Sequence, residues 1–164
     1  MFHLNGNWRD VEYTLINHSD DLPSTKIDKV HVVCTNSRGE ILLVYHQEWS
    51  VWGLPGGSVE DGEEYRDTLS RECLEEANVT VKNVVPFSYY NIYQGDEVVS
   101  TALLVIAELN QADNFRVDPA GTVSKIVWCS YDDALKHIEQ KPLRQRLLSD
   151  AISVLKIRYA DNQT

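Results

Sequence analysis

Seventeen consecutive residues, from Glu60 to Glu76, hold eight acidic side chains (Glu60, Asp61, Glu63, Glu64, Asp67, Glu72, Glu75 and Glu76) and only two cations, Arg66 and Arg71. They carry a net −6 in a chain of 164 residues whose total is −10, so the other 147 residues share −4. The stretch from about Glu63 to Ala77 reads as a helix. At about 100° per residue, Glu72, Glu75 and Glu76 fall within one arc of about 100°. Leu69, Cys73 and Ala77 form a small apolar arc beside it. A solvated acidic face is the ordinary reading of such a run, and two costs oppose it. Like charges at i,i+3 and i,i+4 repel by about 0.2–0.5 kcal/mol per pair. Glu75 and Glu76 also stand in the last turn, where the helix dipole disfavours anions by roughly 0.3–1 kcal/mol. Convergent carboxylates bordering a core, with no lysine near them, suit a hard divalent cation such as Mg²⁺.

The rest of the chain is ordinary by comparison. Its length reads as one domain, residues 1–164, able to bury roughly 70% of its unfolded surface without disulfides or structural metal. Apolar residues at 43% and charged residues at 24% make a globular composition. The acid excess argues against gripping a nucleic-acid backbone, which needs clustered cations, so no duplex binding is expected. Cys34, Cys73 and Cys129 are scattered and form no CxxC pair, which suggests buried, reduced thiols and a cytoplasmic chain. The longest apolar run, Ala102–Ala107, is six residues, too short to span a membrane. The N-terminus, MFHLNGNWRD, lacks the basic start and hydrophobic stretch of a secretory signal.

No repeat or linker divides the sequence. Strands are expected at Val11–Ile16, Lys29–Thr35 and Glu40–His46, the last two joined in a hairpin by Asn36-Ser37-Arg38-Gly39. A loop with Gly53, Pro55, Gly56 and Gly57 precedes the acidic helix. Further β segments follow at Val79–Tyr93, interrupted at Pro86, then Glu97–Leu109 and Val123–Cys129. Helices near Tyr131–Glu139 and Pro142–Tyr159 close the chain, Pro142 suiting a first helical turn. This order predicts an α/β (α+β) fold, a mixed sheet covered by helices on both sides as an α/β/α sandwich.

Several site types can be set aside. Asp61 and Glu72 are first and twelfth of an EF-hand-length window, but its sixth position is Arg66 where Gly is required. There is no GxxxxGK[ST] phosphate loop and no HExxH zinc motif. Gly56-Gly57-Ser58-Val59-Glu60 departs from a nucleophile elbow at its last position. The histidines, at 3, 18, 31, 46 and 137, are dispersed and read as structural or solvated.

From Gly57 to Val79 the chain reads GSVEDGEEYRDTLSRECLEEANV. This resembles the box of the Nudix (MutT-like) hydrolase family, GX5EX7REUXEEXGU with U aliphatic. Gly57 opens it, Glu63 follows, then Arg71-Glu72, the paired Glu75-Glu76, and Val79 at the end. Cys73 replaces an aliphatic residue and Asn78 replaces the second Gly. Neither change touches a carboxylate: Cys is a small hydrophobe, and Asn is the best non-Gly residue for a left-handed helix end. Trp52-Gly53-Leu54-Pro55-Gly56 looks like the family's lead-in, and Trp128-Cys129-Ser130 like its late strand.

The resemblance implies a Nudix-type α/β/α sandwich and a Mg²⁺-dependent hydrolase, Mn²⁺ being an alternative, of a nucleoside diphosphate linked to another group X. Glu72, Glu75 and Glu76 would hold metal with the backbone carbonyl of Gly56, and Arg71 would pair with Glu63 to fix helix against loop. Either Glu75 or Glu76 would be the general base. Many relatives carry a further acid in or just before the late strand; here Gly121–Trp128 has none, and Asp118 is the nearest upstream. Among aromatics, Trp49 and Tyr90 are favoured over Trp52, Tyr89 and Tyr93 for stacking on a nucleobase. Arg144 and Arg146 could meet phosphate, but on the terminal helix the expectation is that they are solvated. A catalytically silent Nudix-like module sensing a nucleotide or sugar nucleotide is the second reading. The partner is a small molecule, and both a monomer and a homodimer are compatible with the sequence.

Overall fold

The structure is a computed structural model describing residues 2–3, 10–16, 21–138 and 142–161. Nine strands form one mixed sheet: β1 (Phe2–His3), β2 (Asp10–Leu15), β3 (Lys29–Thr35), β4 (Ile41–His46), β5 (Val51–Gly53), β6 (Gly56–Ser58), β7 (Val79–Gln94), β8 (Glu97–Ala112) and β9 (Val123–Cys129). Three helices cover it: α1 (Tyr65–Ala77), α2 (Tyr131–His137) and α3 (Pro142–Asp161). The sheet runs β1-β2-β7-β8-β3-β4-β5, with β6 added to β3 and β9 to β4. Among the described residues only the β3–β8 pairing is parallel.

The central strands are apolar on both faces, and the period-2 alternation assigns each side chain to a layer. Val30, Val32, Cys34, Leu42, Val44, Leu103 and Val105 pack with Leu69, Cys73 and Ala77 of α1. Val33, Ile41, Leu43, Leu104 and Ile106 point the other way, against Ala134 and Ile138 and against Leu143, Leu147, Leu148 and Ala151 of α3. This is the expected sandwich. All three cysteines are free and buried. No helix among the described residues is long and apolar enough to cross a membrane.

Three local expectations are corrected. The β3–β4 turn forms, closed by Asn36 N–H to the Glu40 carbonyl at 3.1 Å, but the strands pair only at Thr35 and Ile41. Beyond that point they splay: β4 takes β9 and β5 as partners, while the start of β3 takes β6. The glycine-rich lead-in is therefore two short strands, not a free loop. Pro86 does not interrupt β7 either, because register shifts between Lys82 and Val85 and between Pro86 and Ser88 absorb it. Glu139, the expected end of α2, and His18 lie outside the described residues.

Candidate active site

The splay between β3 and β4 opens a cavity of about 670 Å³. His31 of β3, His46 of β4, Gly53 of β5 and the three residues of β6 line it, with Glu72 and Glu76 at one end and the first turn of α3 at the other.

The carboxylate end is built from α1. The Glu64 N–H donates to Asp67 Oδ2 at 3.0 Å, closing the helix start. Asn78 ends the helix at φ 55°, its N–H bonded to the Leu74 carbonyl at 3.0 Å, and its Nδ2 donates to the Asn114 carbonyl at 2.8 Å. Asn here therefore does what Gly does for the backbone and adds a tether to the far loop. Cys73 is fully buried.

Between those ends, Arg71 gathers the acids. Its Nε and Nη2 meet the two oxygens of Glu63 at 2.9 and 3.0 Å, a bidentate pair. Nη1 reaches Glu72 Oε1 at 2.9 Å and Glu75 Oε2 at 3.5 Å, and Nη2 donates to the Ser58 carbonyl at 3.3 Å. Arg71, aided by Thr68 Oγ1 at 2.6 Å, holds the Glu63 carboxyl down at about 2. The pair thus clamps the loop before α1, the helix and β6 together.

Glu76 is buried, and its Oε2 accepts the Gly56 N–H at 2.9 Å. Burial, reinforced by the charges of Glu72, Asp118 and Glu75, pushes its carboxyl up to about 8. Burial also raises Glu72, with Arg71 opposing. The two glycines of β6 make room for these groups. A Cβ on Gly56, at φ +140°, would strike the Val30 carbonyl and the His31 backbone; one on Gly57 would strike the Glu72 carboxylate. As they stand, no three His, Cys, Asp or Glu side chains among the described residues converge closely enough to hold a cation. Glu75 is turned toward Arg71 and is 42% exposed. The donor set nevertheless fits a hard cation: all oxygen, mutually repelling, and with Glu76 lacking any cationic side chain as partner among the described residues.

Asp118 is buried beside this end and accepts from Ala120 N–H at 2.9 Å, from Thr122 through N–H and hydroxyl, and from Val123 N–H at 3.3 Å. Burial pushes its carboxyl up, but these bonds prevail and hold it below the usual range. Its lone pairs are spent on its own loop, so it shapes the turn before β9 and adds negative potential.

Trp49 and Tyr90 both line the cavity. Trp49 is 65% exposed and stands 5.5 Å from His46. Trp52 instead packs against Tyr45 and His137, Tyr89 lies on the α1 side of the sheet, and Tyr93 bonds Glu12 at the surface. Arg146 pairs with Asp150 at 2.7 Å and is half-exposed. Arg144 is not solvated as expected: it is half-buried in the cavity wall, and its Nη1 donates to the Trp52 carbonyl at 3.1 Å. His31 and His46, which carry no site signal in the sequence, both face the cavity. Burial, then the charge of Arg144, lowers both, His31 to about 4. Only the turn signal at 36–39 bears on these positions in sequence, and it does not reveal the splay.

A family model for the NUDIX domain matches residues 25–150. An ADP-ribose pyrophosphatase of Bacillus subtilis (strain 168) is 26% identical over 155 residues, covering 85% of this chain and 83% of that protein. Among solved structures, a NUDIX hydrolase from Nitrosomonas europaea superposes with a TM-score of 0.64 at 20% identity, over 78% of this chain and 90% of that one. A C. elegans Ap4A hydrolase does so with a TM-score of 0.60 at 22% identity, over 78% and 98%. The two structural likenesses concern the fold.

Proposed function

The chain belongs to the Nudix family of pyrophosphohydrolases, and from that premise we propose that it is a divalent-metal-dependent hydrolase of a nucleoside diphosphate linked to a second group. The observation that carries this reading is the convergence of Glu72 and Glu76 on the glycines of β6, at the end of a cavity large enough for a nucleotide derivative.

Glu72 and Glu76, with Glu75 and the Gly56 carbonyl, are the residues that would hold Mg²⁺ or Mn²⁺. The chemistry such a cation would supply when bound is neutralisation of the diphosphate oxygens and a lowered pKa of bound water. Arg71 and Glu63 act by position: their bidentate pair sets the α1 face against β6. Glu76 is anchored by the Gly56 N–H, whereas Glu75 is half-exposed and held only at 3.5 Å, so Glu75 is free to accept the proton of the attacking water. Water oxygen then bonds to phosphorus as the bridging P–O bond breaks. Trp49 and Tyr90 would flank the nucleobase or the group X, over an apolar floor that includes Leu104 and Leu147.

Release of nucleotide products from a panel of nucleoside diphosphate derivatives, with Mg²⁺ or Mn²⁺, tests the reading. Hydrolysis that is lost in Glu75→Gln and in Glu76→Gln, with both variants folded, supports it. Binding of such compounds by the wild-type chain without cleavage under either metal would establish the sensing module instead.

A further inference from the structure

We propose that Arg144 forms a second anion site in the cavity, taking a phosphoryl or carboxylate group carried by the substrate beyond its metal-held diphosphate. The assignment rests on the hydrolase reading only for where that diphosphate lies.

Arg144 is the third residue of α3, on the face of the sheet opposite α1, and its guanidinium enters the cavity wall. One of its five N–H donors is committed, to the Trp52 carbonyl. No carboxylate among the described residues pairs with it, and burial weighs against its charge. Two positions along the helix, Arg146 shows the opposite arrangement, neutralised by Asp150 and stacked at 5.8 Å over Tyr13. A partly desolvated guanidinium without a counter-ion is costly, and an incoming anion removes that cost.

The surroundings fit an anion better than a nucleobase edge. A base carbonyl would occupy donors and leave the charge unbalanced; a phosphoryl or carboxylate group does both jobs, through two parallel N–H bonds. His46 adds a further polar group at the same point. A Cβ built on Gly53 would lie 3.3 Å from His46 Nε2 and 3.9 Å from Arg144 Nη1, so the bare backbone of Gly53 leaves the space these two share.

The spacing also suits one small molecule. Gly53 marks the Arg144 end and Gly56 the Glu76 end, and the three Cα-to-Cα steps between them span at most roughly 11 Å. A diphosphate held through metal at the carboxylates would therefore place the far side of an attached sugar within reach of Arg144. The favoured substrate class is a nucleoside diphosphate derivative whose second group is itself acidic.

The first test uses metal-free protein in EDTA, titrated with inorganic phosphate and followed by calorimetry and by melting temperature. Wild-type protein is expected to bind phosphate saturably, with at least a tenfold loss of affinity in Arg144→Gln, partial retention in Arg144→Lys and no change in Arg146→Gln. Equal affinity in wild type and Arg144→Gln, or no phosphate binding by the wild type, overturns the proposal.

The second test compares UDP-glucose with UDP-glucuronate, which differ by one carboxylate, using the metal-loaded enzyme. The acidic member is expected to have the lower KM, and Arg144→Gln to erase that preference. An unchanged preference in that variant counts against the site. Phosphate binding that depends on Arg144, in a protein that cleaves no diphosphate, would refute the hydrolase reading alone. Cleavage with phosphate binding indifferent to Arg144 would refute the anion site alone.

Discussion

The Glu72 carboxylate fills the space that a side chain on Gly57 would need. Gly57→Ala therefore displaces the end of a flexible side chain, while Gly56→Ala drives a Cβ into the backbone of β3 at a φ that only Gly adopts easily. The first variant should melt within a few degrees of wild type and lose about ten- to a hundredfold in Mg²⁺ or Mn²⁺ affinity. The second should lose about 3 kcal/mol or more of stability. Thermal melts paired with metal titration separate the two. Equal damage to both properties in both variants would contradict the geometry.

Glu76 should make the metal-free protein less stable than it could be. Its carboxyl is raised to about 8 when folded, so folding favours the protonated form. Stability then falls as pH rises from its unfolded value, about 4.3, and levels off above about 8. Glu76→Gln keeps the acceptor for the Gly56 N–H without the charge. Its melting temperature in EDTA should exceed that of wild type at pH 8, by about 2–4 °C for each kcal/mol gained, with the difference closing near pH 4. Divalent metal should restore the wild type and leave the variant unmoved.

Glu63 has the opposite sign. Arg71 depresses its carboxyl to about 2, so its stabilising contribution is complete above the ordinary carboxyl range and is lost as pH falls through about 2. Acid titration of Glu63→Gln against wild type should show the two melting curves converging between about pH 4 and pH 2. Arg71→Lys keeps the charge but not the fork that meets both Glu63 oxygens, and should reduce hydrolysis about ten- to a hundredfold.

Asn78 offers a test away from the chemistry. Asn78→Ala places an ordinary residue in a left-handed conformation and removes the bond to the Asn114 carbonyl, and should cost about 1–2 kcal/mol. Asn78→Gly loses only the tether and should cost less. Chemical denaturation measures both, and hydrolysis at a temperature where each variant is folded should be unchanged.

What could be read from sequence was what local periodicity encodes. The acidic arc of α1, its apolar neighbours Leu69, Cys73 and Ala77, and the left-handed Asn78 are consequences of helix geometry and of one residue's backbone preference. The order of strands and helices likewise pointed to a sheet covered on both faces. The lead-in strands β5 and β6 could not be seen, because three-residue strands rich in Gly have no period, and β6 exists only where β3 and β4 part. Pro86 suggested a break because the bulges that accommodate it depend on pairing with β8. Arg144 and His46 carry no local mark either. Their meeting beside Gly53 depends on how α3 docks, across 98 residues of sequence from β4.

α1 and α3 lie on opposite faces of one sheet, yet both border the same cavity. The separation of the two helix backbones is therefore ruled by the thickness of a polypeptide layer, so that only the side chains reaching from them can change the span between the carboxylates and the anion site. A lineage built on this frame would adapt to longer or shorter substrates by exchanging side chains along the first turns of α3, leaving the reacting end untouched. For an engineer, that turn is the dial and the sheet is the fixed scale behind it.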